Sequence, residues 1–455
     1  MLLSDLGASA ARLLRRVARH PVARAAAAFT LSTSVVKGMA FLKEAVVAAA
    51  FGVGSSMDSY LMALVIIGFP SGVLLNAVHT VFTREYVRAI AVHGELAAGR
   101  FLRGAFVGLA LALTAVLAVW IALLPWVLSV VGHGLPPFQR ALVATNVVRL
   151  IPYYYLNGIN LLGYGALQSR RAFLRSALIP IATPLVIMGL ITVLHADLSL
   201  LIGALTLGTG VETLFVLIML KRHQRRHKNV VSQTQRSLRQ FAWGTLVLMP
   251  GTLISGLSPV IEQTIASGLG HGAISALGYA AKLPATMNSL LTTAIAVTIL
   301  PHFAERLAQG DNRSCRSFFV RYTTFLGVAG AAIAAAAVFC SQPFVRFVFQ
   351  RGQFTAENAL LVTVLQQGYL WQLPGAMVGA VALRYVAAQG RYRAMTIGTI
   401  AMVPITGFLQ WALSELWGAR GLAFGTSAGT ALTGCALVSL ALYRSPKPMP
   451  SLETA

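Results

Sequence analysis

An all-α, polytopic membrane protein of about twelve transmembrane helices is the fold class this sequence predicts, and three observations predict it. Hydrophobic residues make up 56% of the 455-residue chain and charged residues only 11%, whereas soluble domains run near one quarter charged. The apolar residues arrive in blocks of roughly 20, the length of a helix that crosses a bilayer core. Lysine and arginine collect between alternate blocks, the pattern left by loops retained in the cytoplasm.

The blocks run over 29–51, 60–82, 102–125, 139–166, 173–194, 198–220, 241–262, 274–300, 318–341, 358–387, 394–413 and 418–442. Each is too long for a strand. Each also tolerates Gly or Pro as a packed membrane helix does, for example at Gly163, Pro180, Pro184, Pro250, Pro259, Pro374 and Pro404. The N-terminal arginines before an apolar run suggest a cleaved signal, but Lys37, Lys43 and Glu44 interrupt that run. It therefore reads as a retained first span. The domain plan is a cytoplasmic lead (1–28), a six-helix half (29–220), a cytoplasmic basic linker (221–240), a second six-helix half (241–443) and a cytoplasmic tail (444–455).

Orientation follows from the basic residues. One set of loops carries Arg84, Arg88, Arg170, Arg171, the dense run from Lys221 to Arg239, then Arg306, Arg313 and Arg391; the opposite loops hold only Arg140, Arg346, Arg351 and Arg420. Both termini are placed in the cytoplasm of a bacterial cell, with the chain in the inner membrane. The net charge of +23 is thus a topology signal with a secondary attraction to anionic lipid headgroups. It is not the one-faced patch of a nucleic-acid binder. The three cysteines, Cys315, Cys340 and Cys435, have no ligand spacing and read as packing residues, the first in a loop. With no metal-ligand cluster and no Walker loop, no cofactor is expected, and the scattered histidines offer no catalytic constellation.

The two halves read as a duplication with a shift of about 219 residues. Ala50-Phe51-Gly52-Val53-Gly54 is echoed by Ser267-Gly268-Leu269-Gly270, and each precedes a Tyr-bearing helix, at Tyr60 and Tyr279. Six spans per half make this a parallel repeat, with the first and seventh helices expected to face a central cavity.

Ionisable side chains at membrane depth are functional candidates by default. Lys37 and Lys43 lie in the first span, about 9 Å apart along its axis, with Glu44 nearly on the face of Lys37. Asp58 stands at the outer entrance of the second span, Lys282 lies in the eighth, and Arg149 and Arg384 occupy the fourth and tenth. The excess of cations suits an anion such as a diphosphate. The structural alternatives are snorkelling for Lys37, a local pair with Glu44 or Asp58 for Lys43, and ordinary helix-end positions for Arg149 and Arg384. Asp58 reads either as an interfacial cap or as the counter-ion of an outer gate.

The run from Ser34 to Glu44, followed by Phe51-Gly52-Val53-Gly54 and Asp58-Ser59-Tyr60, resembles the first-helix signature of the MurJ/MviN family, lipid II flippases of the multidrug/oligosaccharidyl-lipid/polysaccharide exporter superfamily. Three further stretches agree: Tyr279-Ala280-Ala281-Lys282-Leu283-Pro284 leading to Pro301; Gln350-Arg351-Gly352-Gln353-Phe354-Thr355; and Pro152 with Gly163, Phe173, Pro180 and Pro184. The resemblance implies a two-half fold like that of the multidrug antiporters of this superfamily. It also implies diphosphate-binding basic residues at Lys37, Lys43 and Lys282, and a transport aspartate at Asp58. The family's arginines stand here as lysines, which keep the charge and lose the bidentate fork. A further basic position of the family falls on Ser71. Twelve spans are read where the lipid II flippases have two more, forming a groove for the lipid tail.

The expected function is translocation of a polyprenyl-diphosphate-linked saccharide, either lipid II for peptidoglycan or a polysaccharide repeat unit, by alternating access. The protein is expected to act as a monomer among membrane lipids, beside cell-wall or polysaccharide assembly proteins, and without enzymatic activity. The competing readings are a multidrug-type antiporter for small molecules or cations, which needs acidic cavity residues such as Glu44, Glu212 or Glu262, and a non-transporting scaffold.

Overall fold

In lipid, each backbone N–H and C=O must be satisfied within its own segment, and helices do this. The computed structural model describes residues 21–170, 172–194, 197–221, 232–309 and 311–443, and no strand occurs among them. Much of the lead 1–28, half of the linker 221–240 and the tail 444–455 lie outside the described residues.

The helices are α1 (Pro21–Phe51), α2 (Ser55–Val92), α3 (Gly94–Val131), α4 (Pro137–Arg149), α5 (Ile151–Ser169), α6 (Phe173–Leu178), α7 (Ala182–Val193), α8 (Leu198–Lys221), α9 (Ser232–Ser267), α10 (Ala273–Ala308), α11 (Asn312–Phe349), α12 (Ala356–Leu370), α13 (Gln372–Ala388), α14 (Tyr392–Trp417) and α15 (Ala419–Leu442). They make twelve rods among the described residues, because α4–α5, α6–α7 and α12–α13 each continue one another. Eight stretches are long and apolar enough to cross a membrane by length and composition. Phe339 is 87% exposed and Leu416 71% exposed, a surface that suits acyl chains rather than water.

Three differences from the sequence reading have local causes. The second and third spans are not separated by a loop: α2 and α3 are each 38 residues long, since Arg84, Glu85 and Arg88 continue the helix beyond the apolar block. Only Gly94, at φ 79° and ψ 173°, breaks it, in a region that essentially only glycine occupies. The fourth and tenth spans are interrupted at Leu150 and Trp371. In each case a proline, Pro152 or Pro374, opens the second segment, where its missing N–H costs nothing. A short 3-10 turn, Ile179–Ile181, joins α6 to α7 at Pro180. Cys315, expected in a loop, is buried in the first turn of α11, where Asp311 accepts from Ser314 N at 3.0 Å and starts the helix early.

The chain groups into two compact units. One comprises Met1–Glu44, Leu74–Leu117 and Leu150–Val247; the other comprises Ala45–Val73, Ala118–Arg149 and Leu248–Ala455. Compact units and sequence-contiguous halves are therefore different partitions. In the first unit Tyr154 Oη donates to Leu113 O at 3.0 Å, tying α5 to α3. Phe82, Tyr86, Phe101 and Phe241 form an aromatic cluster there, with Phe101 and Phe241 edge to face at 5.8 Å. In the second unit Trp120 Nε1 donates to Ile66 O at 2.9 Å, and Phe303, Phe319 and Tyr385 centre the core of α10, α11 and α13.

The glycine-rich turn after α1 is held by its partner backbone. Gln353 N donates to Ala49 O at 2.8 Å. Gly352 has φ +57°, and a Cβ added there would lie 2.3 Å from Ala49 O. Gly352→Ala therefore meets both an unfavourable backbone region and a backbone clash. We expect it to cost about 2 kcal/mol, read as a lowered thermal midpoint of the detergent-purified protein, with Gly251→Ala, where nothing lies within 4 Å, as the tolerated comparison.

Candidate functional site

Of the stretches that carry the family resemblance, those from Phe51 to Tyr60, from Tyr279 to Pro284 and from Gln350 to Thr355 lie within the second unit, where they converge. The Gly52 turn packs on Gln353, and the ring of Tyr279 meets Phe354 edge to face at 5.6 Å. Val53 lies against Gly272, where an added Cβ would sit 2.9 Å from Val53 Cγ1. Segments separated by hundreds of residues in the chain thus share one end of the bundle.

Asp58 is the polar centre of that end. It is fully buried in the first turn of α2. Its Oδ2 accepts from Gly272 N at 2.6 Å and its Oδ1 from Ser275 N at 2.7 Å. A helix start leaves its first N–H groups without intrahelical partners and carries partial positive charge, so the carboxylate of α2 caps α10 from outside. Ser275 Oγ accepts from Gly54 N at 3.2 Å, Ser55 Oγ lies 3.2 Å from His271 Nδ1, and Gln139 Nε2 donates to Ser55 O at 3.1 Å. Both carboxylate oxygens are engaged by backbone amides, so the cap is the arrangement present. Gly272 and Ser275 were absent from the sequence reading. A glycine is an accepted residue at a helix N-cap, but nothing local shows that the acceptor comes from residue 58.

Lys282 is half-buried on α10, seven residues beyond Ser275. At 3.6 residues per turn the two share a helix face, about 10 Å apart along the axis. The Asp58 cap therefore fixes the start of the helix that carries Lys282. Ser71, where the resemblance implies a basic residue, is buried, and its hydroxyl donates to Gly68 O at 2.9 Å, a bond within its own helix that carries no charge.

In the first unit, Lys37 and Lys43 are half-buried on α1. Lys43 Nζ lies 2.6 Å from Glu44 Oε1, so of its two expected partners, Glu44 and Asp58, the structure pairs it with its chain neighbour. Arg149 is exposed at the last position of α4, beside the interruption at Leu150. Its charge there complements the helix C-terminus. Arg384 lies in α13 on the wall of a cavity described below.

Of the three acidic residues that an antiporter would use, Glu44 is paired with Lys43 and the other two are bound to tyrosines. Glu212 accepts from Tyr164 Oη at 2.8 Å and from Thr183 N at 3.3 Å; Glu262 accepts from Tyr369 Oη. No group of three or more His, Cys, Asp or Glu side chains is placed to hold a metal among the described residues.

Comparison with known proteins bears on the family and the fold. The family model described as "Lipid II flippase MurJ" matches residues 47–451. A relative from Burkholderia cenocepacia, named lipid II flippase MurJ, is 25% identical over 438 residues, covering 90% of this chain and 81% of its own. A probable lipid II flippase MurJ from a Synechocystis species is 25% identical over 371 residues, covering 76% and 68%. Among solved structures, a lipid II flippase MurJ in an inward closed conformation superposes with a TM-score of 0.70 at 18% identity, covering 90% of this chain and 86% of that one. An inward-facing multidrug transporter of the MATE family gives 0.73 at 13% identity, covering 90% and 95%. At these identities the two structures speak to the fold.

Proposed function

Since the chain belongs to the lipid II flippase MurJ family, we propose that it carries a polyprenyl-diphosphate-linked saccharide across the bacterial inner membrane by alternating access. The observation that carries this reading is the family match over 47–451, nearly the whole described membrane region. Lys37 and Lys282 each supply a cation to the diphosphate. Lys43, neutralised in part by Glu44, tunes the same charge field. Asp58 acts at the outer side by fixing the start of α10. The driving force is the membrane potential or an ion gradient, to which a loaded anion in a cationic site responds at about 2.3 kcal/mol per charge per 100 mV. Both termini face the cytoplasm, and the working unit is a monomer.

The test is translocation in liposomes, with lipid II and a polysaccharide lipid intermediate as competing substrates, for native protein, Lys37→Ala and Lys282→Ala. A hydrogen bond to a charged group is worth about 1.5–3 kcal/mol, so each substitution is expected to lower transport roughly tenfold or more. Unchanged transport by both folded variants would remove the lysines from the mechanism, and movement of neither lipid by the native protein would overturn the function itself.

A further inference from the structure

The C-terminal helices line a cavity of about 500 Å³ that the transport reading does not use, within the size range of small-molecule sites. Its longest wall is a single stripe of α13 running from Ala376 through Ala380 to Leu383 and Arg384, beside the close contact that Gly375 makes with the backbone of α15. Nine residues of helix make this stripe about 14 Å long. Arg384 stands at the end nearest the basic residues Arg391 and Arg393, and the rest of the stripe is small and apolar. The cavity is thus charged at one end and greasy along its length.

The polar groups are complementary in kind. Arg384 is the one charged residue among those lining the cavity. No carboxylate pairs with it among the described residues, and its Nε is buried without a hydrogen-bond partner among them. Asn288 Oδ1, an acceptor on the α10 wall, is likewise buried and unpartnered. The hydroxyls of Thr292, Thr399, Thr430 and Thr433 donate to carbonyls of their own helices at 2.7–3.0 Å, which leaves their oxygens as acceptors. One guanidinium and several acceptors call for a ligand that combines a single anion with hydroxyl donors.

We propose that this cavity binds a phospholipid with a phosphodiester-polyol headgroup. Its phosphate rests on Arg384, its headgroup hydroxyls donate to the threonine and asparagine oxygens, and an acyl chain lies along the stripe from Ala376 to Leu383. A lone guanidinium matches the single charge of a phosphodiester in a bidentate pair, whereas a diphosphate would leave charge uncompensated. Inorganic phosphate would leave the apolar stripe empty. The inference stands apart from the transport reading, since it involves neither Lys37 nor Lys282.

The experiment is native mass spectrometry of the full chain released from detergent with phosphatidylglycerol, phosphatidylcholine or inorganic phosphate. The proteins are native, Arg384→Gln, and Arg346→Gln as an exposed basic comparison. The native protein and Arg346→Gln are expected to retain phosphatidylglycerol over phosphatidylcholine by about tenfold, and Arg384→Gln to retain about tenfold less phosphatidylglycerol than the native protein. Should Arg384→Gln fail to fold, Thr433→Val, of nearly the same shape, is expected to lower the preference about threefold. Equal retention of both lipids by the native protein overturns the proposal, as does phosphatidylglycerol retention unchanged in folded Arg384→Gln or a preference unchanged in Thr433→Val. Competition by inorganic phosphate at the same concentration as the lipid overturns it too, since it would mean that a free anion is the ligand.

Discussion

Gly425→Leu is expected to abolish the folded protein. α15 packs on α14 through Gly421, Gly425 and Gly429, one glycine per turn along one face, the small-residue pattern that lets membrane helices approach closely. A Cβ at Gly421 would lie 1.7 Å from Leu413 O, and one at Gly425 would lie 2.6 Å from Gln410 Cα and 2.8 Å from Gln410 N. These are backbone atoms, so no rotamer change relieves the clash and the helices must separate. Overpacking of a well-packed interior costs about 1–3 kcal/mol even where side chains can give way. With backbone on both sides the cost exceeds that range. The readout is the monodisperse fraction on size-exclusion chromatography after detergent extraction. Leu432→Phe, at a position on the same helix that is 46% exposed, should leave that fraction unchanged. A monodisperse Gly425→Leu protein would mean that α14 and α15 are not in this close contact.

Asp58→Ala is expected to be the most damaging single loss of a polar side chain, lowering stability by about 3 kcal/mol. It strands the N–H groups of Gly272 and Ser275, each of which donates to a buried carboxylate oxygen at 2.7 Å or less. Leaving a buried donor unsatisfied costs about 1–3 kcal/mol, and the helix-start charge loses its counterpart. Asp58→Asn keeps one acceptor oxygen and turns an NH₂ toward the other amide, so it is expected to recover part of the loss. Thermal midpoints in detergent rank the three proteins as native, Asn, Ala. A gate residue with no structural duty would instead leave the midpoint unchanged while transport fell. If the midpoint and transport fall together, the aspartate acts through the position of α10 and the Lys282 that it carries.

Much of this architecture is legible in the sequence because bilayer physics acts on composition. Each of the twelve apolar blocks is helical over most of its length, with short breaks such as those at Leu150 and Trp371, since a segment that must leave water and satisfy its own backbone has few other options. The prolines that interrupt the fourth and tenth rods, Pro152 and Pro374, are also visible in the chain, although which residue ends the first segment is decided by packing. The reach of α2 and α3 to Gly94 is not legible from hydropathy, because a helix continues through Arg84–Glu85 once its residues favour it and no breaker intervenes. Among the site residues, the pairing of Lys43 with Glu44 follows from adjacency. The partners of Asp58 lie more than 200 residues away, and no local pattern points to them.

What the sequence alone determined is the part of the protein that each residue settles with its own solvent: helical spans, the sites of breaks and the charges that enter the membrane. Tertiary structure alone decided which of those charges are spoken for. Asp58 is committed to the start of α10, Glu212 to Tyr164 and Glu262 to Tyr369, while Arg384 is turned to a cavity wall. The physical reason is that a buried charge is governed by the few groups within about 3 Å of it, and in a bundle of long helices most of those groups come from elsewhere in the chain.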